Sequence, residues 1–373
     1  MRKGLYLYFP NSFTFYPSHK DNPVYRKFVL HSASSPTPQN EQHTMSDTAA
    51  SMPGVILVTG ANGMMGQCVR DVVEEGCHQQ HQHHRWVFLT SKDGDLRDPA
   101  VVDVLFARHR PTHVLHCAAR LASAAEMTAR PVDFWMDNVQ INNNVLRAAC
   151  AAKAKVISVL STVMFPKDAH YPVHGTAADI FGGELHDVSQ SYGFAKRALA
   201  HLSQWYRKQH GCKFSCILPS NIFGPYGAFE TRAAPLLNAL IAKAAAARAT
   251  GKPMTVMGTG APLRQILFAR DLARTLVWAL DHFDDDLPLI VAGEEVAVRD
   301  LAGMAMVAVG ASATNLEFDT SSPDGPLRRT ANVSRFEVLF PDYRATPLEE
   351  SIQDTAAWYQ RSKGNAIALK GAC

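Results

Sequence analysis

The chain has 373 residues, 47% of them apolar and 19% charged, with a formal charge of +3. This composition supplies one large core or two smaller ones and excludes a disordered polymer. Lys and Arg form no runs suited to a phosphate backbone, which excludes nucleic acid as an expected partner.

Seven cysteines without a CxxC pair speak against a disulfide framework or a zinc site, so no metal is expected and reduced thiols point to a cytoplasmic protein. No uncharged apolar run reaches the roughly 18 residues of a membrane span, and no secretory signal is visible. Residues 1–52 are rich in aromatic, Ser, Pro and His residues, lack periodicity, and precede or include Met45 and Met52. They read as a disordered leader, with an organelle-targeting segment as the alternative that a shortage of Arg disfavours.

From Gly54 onward short β-branched runs alternate with longer helical stretches, the pattern of a parallel sheet covered by helices on both faces. Strands are predicted at 55–59, 86–90, 113–117, 155–160 and 214–219, and helices at 64–75, 100–108, 138–152 and 189–209. Past Gly224 the alternation loosens, with helices at 235–249, 271–282 and 348–360. The expected fold class is therefore α/β: a Rossmann-type doubly wound parallel sheet over 53–230 and a smaller C-terminal lobe over 231–365. Between the first helix and second strand, Cys77 and the histidines His78, His81, His83 and His84 read as a solvated loop, since no scaffold fixes them as metal ligands.

The first strand runs into Gly60-Ala61-Asn62-Gly63-Met64-Met65-Gly66 and then a helix. Gly60 permits the tight turn, Gly63 lets a pyrophosphate approach the backbone, and Gly66 lets helix pack on strand, so this is a dinucleotide site. The second strand ends in Thr90-Ser91-Lys92 without a carboxylate. A hydroxyl and a cation suit the 2′-phosphate of NADP better than the 2′-hydroxyl of NAD. Asp95 and Leu96 follow, at the place where such folds hold adenine or cap the next helix.

Tyr192 and Lys196 stand four residues apart on a predicted helix and leave it on one face. An ammonium beside a phenol eases proton transfer between Tyr192 and a substrate oxygen. Ser161 ends the preceding strand and can hydrogen-bond the same oxygen. Ser161, Tyr192 and Lys196 thus make the triad for hydride transfer to a carbonyl, and Lys196 can also reach the nicotinamide ribose.

From Val55 to Tyr359 the sequence resembles the GDP-L-fucose synthase family of extended short-chain dehydrogenase/reductases. The resemblance is carried by Trp86-Val87-Phe88-Leu89-Thr90-Ser91-Lys92-Asp93, Pro111-Thr112-His113-Val114-Leu115-His116, Asp133-Phe134-Trp135, Leu160-Ser161-Thr162, Asn221-Ile222-Phe223-Gly224-Pro225 and Gly258-Thr259-Gly260-Ala261-Pro262-Leu263-Arg264-Gln265. It implies an NADPH-dependent enzyme that epimerises C3 and C5 of GDP-4-keto-6-deoxy-D-mannose and reduces C4 to give GDP-L-fucose, acting as a homodimer. It further implies cofactor contacts from Gly60, Gly63, Met64, Met65, Gly66, Ser91, Lys92, Asp95, Leu96, Ala118, Ala119, Tyr192, Lys196, Pro219, Asn221 and Ile222. Arg264, Asp324 and Met257 would meet the GDP-sugar, the last standing where the family has Trp.

The epimerising Cys and His of the family are replaced by Val163 and Tyr226. Valine cannot carry a proton, and Tyr226 is the remaining candidate acid. Cys117 is a further candidate base, although a Cys beside Ala118 and Ala119 reads more readily as core. Two other readings stay open: a reductase of a 4-keto nucleotide sugar without epimerisation, and a non-catalytic paralogue that binds NADP or a nucleotide sugar.

Overall fold

A computed structural model describes residues 53–76, 83–230, 233–321 and 323–370, within the unit Met52–Cys373. Both the leader 1–52 and most of the His-rich turn, 77–82, lie outside the described residues.

The first half runs β1 (Val55–Thr59), α1 (Met64–Glu74), β2 (Arg85–Leu89), α2 (Pro99–His109), β3 (His113–His116), α3 (Ala124–Ala129), α4 (Pro131–Ala151), β4 (Lys155–Val159), α5 (Ala177–Phe181), α6 (Gln190–His210), β5 (Phe214–Pro219) and β6 (Asn221–Phe223). The second half continues with α7 (Leu236–Thr250), β7 (Met254–Met257), β8 (Leu263–Phe268), α8 (Ala269–His282), β9 (Leu289–Val291), β10 (Glu294–Ala297), α9 (Val298–Ala308), β11 (Leu316–Asp319), β12 (Arg328–Arg329), α10 (Ser334–Leu339) and α11 (Leu348–Lys370).

The main sheet has the order β2-β1-β3-β4-β5-β9, and every neighbouring pair is parallel. Its strands are apolar on both faces because helices cover both. Side chains alternate with the pleat: Ile56, Val58, Ile157 and Ile217 join α1 and α8, whereas Leu57, Val114, Val156 and Phe214 join α2, α4 and α6. Leu57 is fully buried. Truncating such a residue to Ala costs about 2–5 kcal/mol.

Local chemistry sets the helix ends. At α2, Asp98 accepts a hydrogen bond from the Ala100 N–H at 2.8 Å, and Pro99 occupies the first helical position. Helix α6 stops at Gly211, whose φ is 66°, after Arg207, Lys208 and His210 in its last turn. The observed α4 begins at Pro131, earlier than the predicted 138, because a proline at the first helical position starts a helix instead of breaking it.

The smaller lobe holds β8 between β10 and β12, with β6 also paired to β8 and a separate pair β7–β11. Phe223, Leu237, Ile241, Phe268, Leu301, Met306 and Ile352 form its core. The boundary near residue 230 is crossed twice: α8 leads the chain back onto the main sheet beside α1, and β9 completes that sheet as its sixth strand. The strands of the lobe are two to six residues long and lack a clean alternation, so periodicity does not reveal them.

Candidate active site

Strand order reverses between β1 and β3, since β2 lies on one side of β1 and β3 on the other. In open α/β sheets the crevice at such a switch point receives the ligand. Here it is a cleft of ≈ 730 Å³ lined by Gly60, Asn62, Gly63, Ser91, Asp95, Leu96, Arg97, Ala118, Ala119, Arg120 and Asp137, among others.

Backbone proximity explains the glycines. Gly60 has φ +71°, and a Cβ there would lie 2.8 Å from the N and Cα of Ala118. At Gly66 a Cβ would lie 2.4 Å from the Ala61 Cα. Both positions exclude any side chain without movement of strand or helix. Gly63 is the N-cap of α1 and no side chain caps that end, which leaves the positive end of the helix directed to an anion at the cleft. This geometry fits a dinucleotide pyrophosphate.

A buried polar relay holds the floor. Ala118 N–H donates to Thr59 Oγ1 at 3.2 Å, Thr59 Oγ1 meets His116 Nδ1 at 2.9 Å, and His116 Nε2 meets Asn142 Oδ1 at 3.0 Å. One tautomer satisfies the whole series, with Nδ1 accepting and Nε2–H donating. Burial pushes the His116 pKa down to about 4, so the ring is neutral. Beside it, Asn138 accepts from the Arg120 N–H and donates to the Arg120 and Phe134 carbonyls, pinning the loop after β3.

Of the expected cofactor set, Gly60, Gly63, Ser91, Asp95, Leu96, Ala118 and Ala119 line the cleft. Lys92 does not: it is exposed, and its N–H caps Thr90 Oγ1. The cleft cation near β2 is instead Arg97, bonded to both oxygens of Asp95 and, at 3.1 Å, to Asp137. Arg97 holds the Asp95 carboxyl below its usual range. Asp137 also pairs with Arg120. Sequence reading missed Arg97, Arg120 and Asp137, although Arg97 stands only two residues after Asp95.

Met65 belongs to the core under α8, as does the neighbouring edge formed by Met64 and Ile222. At Met65 and Gly66, both buried, only the backbone is therefore available to a cofactor, whereas Met64 is half-buried. Pro219 is buried in β5, and Asn221 donates to the Gln265 carbonyl at 3.0 Å. These residues, with Ile222, join β5 to the smaller lobe and stand outside the cleft lining.

The triad residues are positioned by β4 and α6. Ser161 opens the 3-10 turn Thr162–Met164, where its Oγ accepts from the Val163 N–H at 3.4 Å. Tyr192 and Lys196 are almost fully buried, 5.6 Å apart from ammonium to ring centroid. Lys196 donates to the Val159 carbonyl at 2.6 Å, a bond that ties it to the end of β4 one residue before Leu160 and Ser161. Burial lowers its pKa to about 8 and raises that of Tyr192, whose phenol is consequently protonated. Lys196 thus stands beside the phenol whose proton transfer it is expected to ease.

Val163 packs against Tyr192 with Met127, Phe134 and Ala122. Tyr226, in contrast, is not brought to the triad. Its hydroxyl donates to Asp71 of α1 at 3.2 Å, its ring meets Trp358 of α11 edge-on at 5.2 Å, and its φ is 64°. Held in this way between α1 and α11, the Tyr226 hydroxyl is already paired with a carboxylate, that of Asp71. Cys117 does line the cofactor cleft, but burial pushes its thiol up to about 12.

A separate recess of ≈ 300 Å³ in the smaller lobe brings together all three expected substrate contacts, Met257, Arg264 and Asp324, together with Lys243. Arg264 Nη1 donates to the Leu263 and Pro326 carbonyls at 2.7 and 2.9 Å. Asp324 accepts from the Thr259 N–H at 2.8 Å and its hydroxyl at 2.6 Å, which hold its carboxyl below the usual range. Met257 is 69% exposed within this recess. Lys243 was missed because an Ala-rich helix around it reads as packing alone.

Residues 56–293 match the NAD dependent epimerase/dehydratase family. GDP-L-fucose synthase of Dictyostelium discoideum is 34% identical, over 82% of this chain and 94% of the relative. The probable GDP-L-fucose synthase of Drosophila melanogaster is 32% identical, over 82% of this chain and 96% of its own length. A solved GDP-L-fucose synthetase from Naegleria fowleri bound to NADP superposes with a TM-score of 0.77 at 34% identity, covering 84% of this chain and 96% of that one. The parallel sheet, its glycine-lined switch point and the buried Tyr192–Lys196 pair therefore have a family: the chain belongs to the NAD dependent epimerase/dehydratases and, among them, to the GDP-L-fucose synthase family.

Proposed function

We propose that this chain is an NADPH-dependent enzyme that converts GDP-4-keto-6-deoxy-D-mannose to GDP-L-fucose. The observation that carries this reading is the buried Tyr192–Lys196 pair, tied by Lys196 to Val159 at the end of β4 two residues before Ser161, on the carboxyl edge of the sheet where β1 and β3 also present the glycine-lined cleft. Gly60, Gly63, Asp95 and Arg97 would hold the dinucleotide, and when bound NADPH supplies the hydride.

Ser161 and Tyr192 orient the C4 carbonyl through hydrogen bonds. Stabilising its oxygen makes the neighbouring C3 and C5 protons removable, and the same contact serves reduction. The buried Tyr192 phenol gives its proton to the C4 oxygen as that oxygen gains charge. Lys196 keeps positive charge near the phenol as the proton leaves. Arg264 and Lys243 offer cations to the diphosphate, with Arg264 presenting a planar donor array.

A second reading is favoured by one observation: Val163 lies against Tyr192 and the Tyr226 hydroxyl is bonded to Asp71. Reduction without epimerisation follows if no other group moves the C3 and C5 protons. The test is purified protein with GDP-4-keto-6-deoxy-D-mannose and NADPH, followed at the NADPH absorbance. Steady oxidation supports an enzyme; none at any concentration speaks for a binding-only protein.

A homodimer and a cytoplasmic location belong to the same reading. Val132 and Met136 on α4 and Phe194 and Trp205 on α6 are exposed apolar residues of the kind a second copy would cover. Among the described residues no helix is long and apolar enough to cross a membrane.

A further inference from the structure

The segment between β4 and α6, residues 160–189, carries Ser161 in its first turn. Arg197 of α6 holds that segment at two places. Its Nε donates to the Met164 carbonyl at 2.8 Å, Nη1 to the Gly183 carbonyl at 2.8 Å and Nη2 to the Gly182 carbonyl at 2.9 Å. Every guanidinium nitrogen is thus engaged, and Arg197 is only 7% exposed. Among the described residues no carboxylate pairs with it, and burial alone perturbs its pKa, lowering it. A well-packed apolar side chain would avoid that desolvation cost, so stability by itself does not account for a guanidinium here.

The turn with Ser161 is gripped by α6 on both sides. Lys196 donates to the Val159 carbonyl at 2.6 Å, two residues before Ser161, and Arg197 to the Met164 carbonyl, three residues after it. Between these bonds the helix lies against the turn: a Cβ at Gly193 would stand 2.9 Å from the Val163 carbonyl oxygen. Further out, the Lys167 N–H donates to the Glu184 carbonyl at 2.8 Å, so the outgoing and returning arms of the segment meet just beyond the guanidinium.

We propose that Arg197 is a positioning residue for the reduction: by holding the Met164, Gly182 and Gly183 carbonyls it fixes the turn that carries Ser161 against the helix that carries Tyr192 and Lys196. The inference rests on the proposed reduction, and it assigns Arg197 no contact with substrate or cofactor. Its effect passes through the Ser161 hydroxyl, which a released turn no longer aims at the C4 oxygen. A displacement of about 1 Å at such a group is enough to slow turnover strongly. The glycine-lined cleft at β1 and β3 is built from other residues and keeps its shape.

The test begins with hydrogen exchange of the full chain, without substrate. Arg197→Met should speed exchange at Val163, Met164 and Phe165, whose N–H groups are bonded to Ser161 and Thr162, and leave the α6 amides protected. Turnover of GDP-4-keto-6-deoxy-D-mannose with NADPH comes second. Per folded protein, kcat should fall about 10- to 100-fold with NADPH affinity and the KM for the GDP-sugar nearly unchanged. In a Ser161→Ala background the same substitution should cost little more, because the hydroxyl it aims is gone. Arg197→Lys keeps the stem and the charge but not the three bonds; it should change both readouts in the same direction by less, and it is the variant to read if Arg197→Met does not fold. Unchanged exchange at residues 163–165, an equal fold-loss in the Ser161→Ala background, or a lower thermal midpoint with kcat intact would each overturn the proposal. A wild-type protein that oxidises no NADPH would refute the proposed function instead, and the exchange result would then decide alone whether Arg197 holds the turn.

Discussion

The cofactor cleft and the substrate side of this molecule are specified by different parts of the chain. The cleft is shaped by backbone: Gly60 and Gly66 stand where a Cβ would meet Ala118 or Ala61 at 2.8 Å or less. On the substrate side the work falls to side chains, and there the chain has Val163, Tyr226 and Met257 in place of the residues that its family resemblance implies. A backbone constraint admits one residue type, whereas a side-chain role can be lost by one substitution with the fold intact. Dinucleotide binding is therefore the better protected half of the function.

The largest effect is expected at the junction of the two regions. Tyr192→Phe should reduce turnover by about 10²- to 10⁴-fold while leaving NADPH affinity nearly unchanged, because it removes only the proton donor. Near wild-type turnover in this variant would break the comparison at its centre.

Gly66→Val tests the backbone side. With its Cβ 2.4 Å from the Ala61 Cα, the variant should lose about 1–3 kcal/mol of stability and bind NADPH weakly, read by thermal melts and fluorescence titration. Arg264→Ala tests the side-chain side: the KM for the GDP-sugar should rise about tenfold or more, with NADPH affinity preserved. An equal loss for both ligands would show that the two regions are not separable.

A smaller effect should appear in the pH profile. The folded pKa of Lys196 is lowered by burial to about 8, so its cation is present below that pH and lost as pH rises through it. Turnover should accordingly fall above pH 8; a flat profile to pH 10 would assign the ammonium no role. The smallest contrast concerns the adenosine end. Arg97→Ala should raise the NADPH dissociation constant a few-fold more than Lys92→Ala, since Arg97 lines the cleft and Lys92 is exposed. The reverse order would restore Lys92 as the reader of the 2′-phosphate.

Much of the main sheet was legible from alternation and glycine spacing. Val55–Thr59 and Phe214–Pro219 are strands with the bounds their mainly apolar runs imply, because parallel strands buried on both faces read as near-continuous apolar stretches. The short strands β6 to β12 and the return of the chain through α8 to β9 were not legible, since strands of two to six residues carry little period and their place is decided by long-range packing. Within the site, Tyr192 and Lys196 could be placed together from helical spacing alone. Tyr226 could not be placed: its left-handed φ turns it toward Asp71 and Trp358, partners distant in sequence. Arg97 and Arg120 were hidden for a similar reason, their shared Asp137 lying 40 and 17 residues further along the chain, in α4.

Epimerising reduction is separated from reduction alone by NMR of the product formed from GDP-4-keto-6-deoxy-D-mannose and NADPH in deuterated water. GDP-L-fucose carrying deuterium at C3 and C5 is the expected result. GDP-D-rhamnose without deuterium at those carbons would show reduction alone, with Val163 and Tyr226 marking a lost epimerase, and would contradict epimerisation.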